Sequence, residues 1–359
     1  MALPFLNNNG RKQRDRMLAV DLGSRTTKAV HIQRDGEGFV LCGYALLDAP
    51  IFEKTLSTEL LAEHLKAVSQ ALDAKSKLLT LTVGVNDAIV RHAEMPRMPM
   101  EDMRMVLKLN SKSYLQQDLT NHLYDCHILP PAPLPKGAEA AKALSAGPPK
   151  QRVLVAGAKR QLIDDLVTAS RNAGFMADHI VPGLVGPANA FEKAMPEVFA
   201  KEVVALVDIG FKSSSISILQ RGELVLSRVV NTGGDKLTNG LAETLNISYA
   251  EAEGIKVGMP SEVQTHLDTL VTPLGRDLRA SIDFYEHQHD KAVSQAFITG
   301  GSARSEFIMQ KLKQELMIEC MIMNPTTFLR AELPPQQTAE LEQVAPQLTV
   351  AIGAALAAI

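Results

Sequence analysis

The chain has 359 residues, a length above what one hydrophobic core usually serves, and its 46% apolar and 21% charged residues are a globular balance, so two lobes or more are expected. A net charge of −3 and 4% aromatic residues exclude a broad basic surface and a base-stacking platform, so no nucleic-acid partner is expected. Cys42, Cys126 and Cys320 are scattered, lack C-x-x-C spacing and include an odd one, which points to neither zinc nor a disulfide framework and fits a reducing cytoplasm.

In the first sixteen residues, MALPFLNNNGRKQRDR, a very short apolar piece precedes the charge, the reverse of a secretory signal. Residues 1–16 read as a flexible arm, with Arg11, Lys12, Arg14 and Arg16 in solvent. Met17 to Ile32, MLAVDLGSRTTKAVHI, then predicts a strand ending in Asp21, a turn at Gly23 and Ser24, and a returning strand. Val203 to Leu219, VVALVDIGFKSSSISIL, repeats the design with Asp208, Gly210, Ser213 and Ser214. Val203 to Val207 is a continuous apolar run, as in a strand covered on both faces, while Ile216 and Ile218 alternate with Ser215 and Ser217. Two hairpins of one design imply two related halves.

The repeated tip carries chemistry. A glycine turn lets backbone N–H groups approach phosphate oxygens, small hydroxyls such as those of Ser24 and Thr26 add donors, and an aspartate at a strand end can orient a hydrated magnesium ion. Lys28 leaves the first hairpin where its ammonium can meet a phosphate as a point charge. A single D-x-G turn joins strands as often as it binds anything; two facing copies would clamp one nucleotide.

Between the hairpins, Phe39 to Leu46 predicts a third strand, and Leu61, Leu65, Val68 and Leu72 recur at helical spacing on a packing helix. Leu79 to Val85 and Ala88 to Ala93 read as strands. From about residue 95 to 177 a small inserted subdomain is expected. Met95, Met98, Met100, Met103 and Met105 crowd the entry to its helix, as gap-filling side chains where it docks. Within it, residues 129–150 are Pro/Ala/Gly-rich and read as a mobile loop between two strands. Val153 to Ala156 is a strand, QLIDDLVTASRNA an amphipathic helix stopped by Gly174, and IVPGLVGPANAFEKA a strand end feeding a helix.

After the second hairpin, Glu223 to Val230 is a strand, and Gly233 and Gly234 open a helix whose N-terminus can receive an anion. Ser248 and Glu251 fit a capping box. Glu253 and Lys256 share a helical face, where an ordinary solvated ion pair would account for them. A long apolar-faced helix from Val263 to Ile282 contains Pro273, a place for a kink. Phe297 to Arg304, FITGGSAR, has the strand, glycine turn and helix start needed where backbone passes close to a flat ligand. Val350 to Ile359 reads as a buried closing helix.

VDLGSRTTK, IVPGLVGPA, VDIGFKSSS, TGGDKLT with AEGIK, and ITGGSAR thus occur in one order, which resembles the actin, Hsp70 and sugar-kinase superfamily. A small subdomain between the first hairpin and the IVPG segment is similar to the FtsA branch. Closer still, VRHAEMPRMPMEDMR, YDCHILPP, RVLVAGAKRQLIDDL and NAGFMADHI resemble the family of type IV pilus assembly proteins called PilM.

The resemblance implies an α/β actin-like, ribonuclease H-like two-lobe ATPase fold with an inserted α+β subdomain of FtsA type. Residues 17–94 and 178–200 would form the first lobe, and residues 201–359 the second. ATP and magnesium would be the cofactors: Gly23, Ser24, Thr26 and Lys28 on one hairpin, Gly210, Ser213 and Ser214 on the other, and Asp21 and Asp208 holding the ion through water. Gly233 and Gly234 would lie near sugar and phosphates, Glu253 and Lys256 near ribose and adenine, and Gly300, Gly301 and Ser302 beneath the adenine. Where related ATPases often carry a water-orienting Glu or Gln, this chain has Val181, so weak or absent hydrolysis is expected, the alternative being that His179 or Asp178 swings in to serve. The implied role is a cytoplasmic scaffold of pilus assembly or a related type II secretion-like system. It would hold the tail of a PilN-like inner-membrane protein, touch the membrane only through partners, and leave room for other pilus-machine components and for a homo-oligomer. A small-molecule kinase and an FtsA-like cell-division protein stay open as alternatives. The methionine-rich subdomain tells against the first, and the lack of a C-terminal amphipathic membrane helix against the second.

Overall fold

A computed structural model describes residues 14–51, 56–130 and 150–359; most of the basic arm and nearly all of the 129–150 loop fall outside the described residues. The apolar run of β1 (Arg16–Leu22) is buried from Met17 to Val20. It is flanked by antiparallel β2 (Thr26–Asp35), which pairs with β3 (Gly38–Asp48), and on the other side by parallel β4 (Leu78–Val83), which pairs with parallel β8 (Met176–Pro182). The second half repeats this pattern. β9 (Val203–Ile209) lies between antiparallel β10 (Ser214–Gln220) and parallel β12 (Gln295–Thr299), with β11 (Glu223–Val230) and β13 (Glu319–Ile322) outside them. The orders β3-β2-β1-β4-β8 and β11-β10-β9-β12-β13 therefore correspond strand for strand. Both aspartates lie one residue before the end of the middle strand of these matching orders.

Helices cover both sheets. On the first, α1 (Thr58–Ala71) turns Leu61, Leu65 and Val68 inward and packs against α3 (Arg160–Asn172). After β8 come α4 (Gly186–Ala194) and the short α5 (Pro196–Lys201). On the second, α6 (Gly234–Leu245) and α7 (Tyr249–Gly258) pack together, and α8 (Gln264–His289) runs as one helix through Pro273 against α9 (Glu306–Leu316).

The three-stranded sheet β5 (Ala88–Pro96), β7 (Lys150–Lys159), β6 (His122–Ile128) carries α2 (Met100–Leu115), so the inserted subdomain spans 88–159 instead of 95–177. The shift follows from pairing. Ala88 already lies opposite Ala158 in the new sheet, whereas α3 returns to α1. Met95 and Met103 are fully buried and Met98 and Met100 pack against them, as gap-fillers should, while Met105 stays exposed.

The second lobe ends earlier than residue 359. β14 (Leu329–Ala331) joins the first sheet beside β3, α10 (Pro335–Val344) leads back, and the closing α11 (Thr349–Leu356) packs against α4 and β1. This helix is apolar all round, so it has to be enclosed, and the room for it is under the first sheet.

Candidate nucleotide site

Both hairpin tips and the loops after β11 and β12 converge at one end of the two sheets. At the first tip, a Cβ on Gly23 would stand 2.5 Å from Lys28 Nζ and from the Thr26 carbonyl oxygen, so only glycine permits this turn. Lys28 Nζ lies 3.2 Å from Asp21 Oδ2, and the Thr82 hydroxyl donates to Asp21 Oδ1 at 2.8 Å. Ser24 is exposed and Thr26 half-buried beside them.

The second tip faces the first. Asp208 is pushed up to about 6 by burial, which the nearby Lys28 ammonium opposes and the Asp21 carboxylate reinforces. Burial works against the charge on Lys28 too, yet Asp21 and Asp208 outweigh it and hold its pKa above the ordinary lysine value. Lys28, bonded to Asp21, thus also feels the carboxylate of the other lobe. Asn86 Nδ2 crosses from the first lobe to donate to Ser213 Oγ at 3.2 Å.

Gly300 approaches Asp208 closely. Its φ is +90°, and a Cβ there would stand 2.4 Å from Asp208 Oδ1, so a side chain would be both strained and obstructed. Gly301 and Ser302 follow, with Ser302 Oγ beside Gly234. Gly233 passes so near the Phe211 and Gly210 carbonyl oxygens that it tolerates no Cβ either.

Two expected roles are redirected. Ser214 is buried and donates to the Thr232 carbonyl at 2.7 Å, so it fixes the loop and does not face the cleft. At the start of α6, the Gly234 and Asp235 N–H groups donate to the Gly210 and Phe211 carbonyls at 3.0 and 2.9 Å, so this end of the helix is tied to the second hairpin.

Glu253 and Lys256 are more than a solvated pair. Lys256 Nζ reaches Glu253 Oε2 at 2.7 Å, the Thr238 hydroxyl at 2.6 Å and the Gly234 carbonyl at 3.3 Å. Burial resists the charge on Glu253, but Lys256, the Thr238 hydroxyl and Arg25 together hold its pKa below the usual glutamate value. Arg25, Thr82, Asn86 and Thr238 were not singled out in the sequence. Only Arg25 carried a signal, as the cation at the tip of the first hairpin.

Val181 is fully buried, aligned with Thr82 in the parallel pair of β4 and β8. His179 and Asp178 sit further back along the same strand, His179 opposite Thr80, and Arg14 forks onto Asp178 with both contacts at 3.2 Å. Neither is a substitute for a water-orienting group at the cleft. A cavity of about 550 Å³ lined by Arg14, Arg16, His31 and Lys75 lies at the opposite end of β1 and is separate from the hairpin tips.

A family model described as type IV pilus assembly protein PilM matches residues 19–359. The chain belongs to the PilM family. Of the readings the sequence left open, this is the pilus-assembly one. Among solved structures, the chain is similar to a PilM-PilN type IV pilus biogenesis complex, with a TM-score of 0.81 at 19% identity over 96% of this chain and 98% of that one. It is also similar to the ethanolamine utilization protein EutJ from Carboxydothermus hydrogenoformans, with a TM-score of 0.52 at 16% identity over 97% and 91%. These likenesses fix the fold as actin-like. The cell division protein FtsA of Bacillus subtilis (strain 168) is 42% identical over 53 residues, 15% of this chain and 12% of FtsA. The PilM-family chain thus matches about an eighth of that relative. Among the described residues no helix is long and apolar enough to cross a membrane.

Proposed function

We propose that this PilM-family chain is an ATP-binding scaffold of type IV pilus assembly that closes on nucleotide between its two hairpins and, at the cytoplasmic face of the inner membrane, holds the tail of a PilN-like protein. The observation that carries the reading is the Asp21, Lys28 and Asp208 cluster, in which groups from two lobes converge beside two glycine-bearing tips. A phosphate chain is the ligand that such a cation and such tips accept.

The residues fit magnesium as well. Among the described residues no group of three or more His, Cys, Asp or Glu side chains can enclose an ion. Magnesium usually keeps several waters and takes one or two carboxylates, and Asp21 and Asp208 would hold it in that way. When bound, the ion would offset phosphate charge. Lys28 orients the phosphates, Gly300 and Gly301 let the base lie close to backbone, and Glu253 with Lys256 meets the ribose and adenine.

The partner reading takes support from the complex to which the chain is similar, in which a PilM is joined to PilN. Calorimetry of the full chain with Mg-ATP tests the site. Saturable binding is expected for the wild type and weakened binding for Asp208→Asn, whereas equal affinity in both would remove Asp208 from it. Capture of a PilN-like cytoplasmic peptide, with and without ATP, tests the partner.

A further inference from the structure

The tip of the first hairpin reaches across to the second lobe. Arg25 Nη1 donates to Glu253 Oε1 at 2.8 Å, and its guanidinium lies 5.2 Å from the centre of the Phe211 ring. The other oxygen of Glu253, Oε2, is taken by Lys256 Nζ and the Thr238 hydroxyl. Glu253 is thus held from both sides, one oxygen by each lobe. A sugar hydroxyl that is to bond Glu253 from the hairpin side meets Arg25 already there.

We propose that Arg25 is a positioning residue that nucleotide displaces: it ties the first hairpin to Glu253 and Phe211, and it lets go of Glu253 as the nucleoside enters. The inference rests on the proposed nucleotide site and adds to it a group that competes with the ligand. Half of the Arg25 side chain is exposed, so neither contact is strong. An exposed ion pair and a cation–π contact each amount to a factor of a few, together on the order of tenfold. That is enough to set an entry rate without locking the cleft. The Asn86 to Ser213 bond is a second bridge that stays when Arg25 is changed.

The test compares full-length wild type, Arg25→Ala and Arg25→Lys by stopped-flow binding of a fluorescent ATP analogue with magnesium. Arg25→Ala should raise the association rate about tenfold, with Arg25→Lys between the two because it keeps charge but not the planar fork. An unchanged rate, or loss of binding in Arg25→Ala, would overturn the proposal, the second by making Arg25 a holder of nucleotide. Amide exchange of the nucleotide-free proteins gives an independent readout. Residues 23–26 and 211–214 should exchange faster in Arg25→Ala with an unchanged melting temperature. If the wild type binds no ATP analogue, the nucleotide reading fails by itself. Exchange then decides the tie: faster exchange supports it and equal exchange overturns it.

Discussion

In the proposed site, Asp208 would set the response to pH. With its pKa raised to about 6 by burial, the carboxyl is partly protonated in mildly acidic solution, and in the proposed site only the ionised form would hold metal-bound water. The folded chain binds this proton more tightly than an unfolded one. The contribution of Asp208 to stability is therefore fully present below the ordinary aspartate pKa and is lost as pH rises through about 6. Function runs the other way. The magnesium-dependent part of ATP affinity should fall between pH 7 and pH 5, and Asp208→Asn should flatten that profile; a wild-type profile flat over this range would remove Asp208 from the metal. A second residue-scale expectation concerns turnover. Val181 cannot orient water, and phosphoryl transfer depends on positioning, so single-turnover hydrolysis of bound ATP should stay well below ~1 per second. Val181→Glu should not restore it. A carboxylate there would enter a sealed core and cost several kcal/mol, seen as a large drop in melting temperature; faster hydrolysis in a stably folded variant would contradict this. Asp21, Asp208 and the glycines were legible in sequence because each tip is local. Arg25, Thr82 and Thr238 were not, because what defines them is a partner on another element.

At the scale of elements, strands with long apolar runs announced themselves, whereas β13 and β14 did not. Each is a short sheet-edge segment with mostly exposed residues, so neither length nor alternation marks it. The closing helix was legible as buried, but not its seat. That seat depends on α4 and α11 crossing at glycine: a Cβ on Gly353 would stand 1.9 Å from the Gly186 carbonyl oxygen, and Asn189 Nδ2 donates to the Gly353 carbonyl at 3.1 Å. Gly353→Ala should therefore cost about 3 kcal/mol or more, since neither helix backbone can yield without shifting the first sheet. Gly254→Ala is the control. Nothing stands within 4 Å of its Cβ position inside α7, so it should gain about 0.5–1 kcal/mol from helix propensity. Urea denaturation of both variants measures the difference, and similar stabilities would mean that the α4–α11 crossing adapts.

Across the whole molecule, the repeated hairpins made the two lobes legible, but not the links between the inserted subdomain and the second lobe. His92 Nε2 lies 2.6 Å from the Leu224 carbonyl, and since a carbonyl only accepts, Nε2 carries the proton. Burial lowers the His92 pKa, with the Leu224 carbonyl opposing and Arg152 adding to the shift. Beside it, Arg152 Nη1 donates to Glu223 Oε2 at 3.1 Å. Leu224 and Glu223 open β11, which lies in the same sheet as the second hairpin. Movement of the second lobe on nucleotide would then be felt in the subdomain through these two contacts, while the site itself lies elsewhere. Coupling between two ligands is reciprocal and commonly amounts to about 5- to 150-fold. If the PilN-like peptide engages the subdomain, ATP should change its affinity by a factor in that range, and the peptide should change ATP affinity by the same factor. In a His92→Phe, Arg152→Gln double variant that factor should fall toward one, while each ligand alone still binds near its wild-type affinity. Calorimetry of each ligand with and without the other measures it, and an undiminished factor in the double variant would mean that coupling bypasses β11.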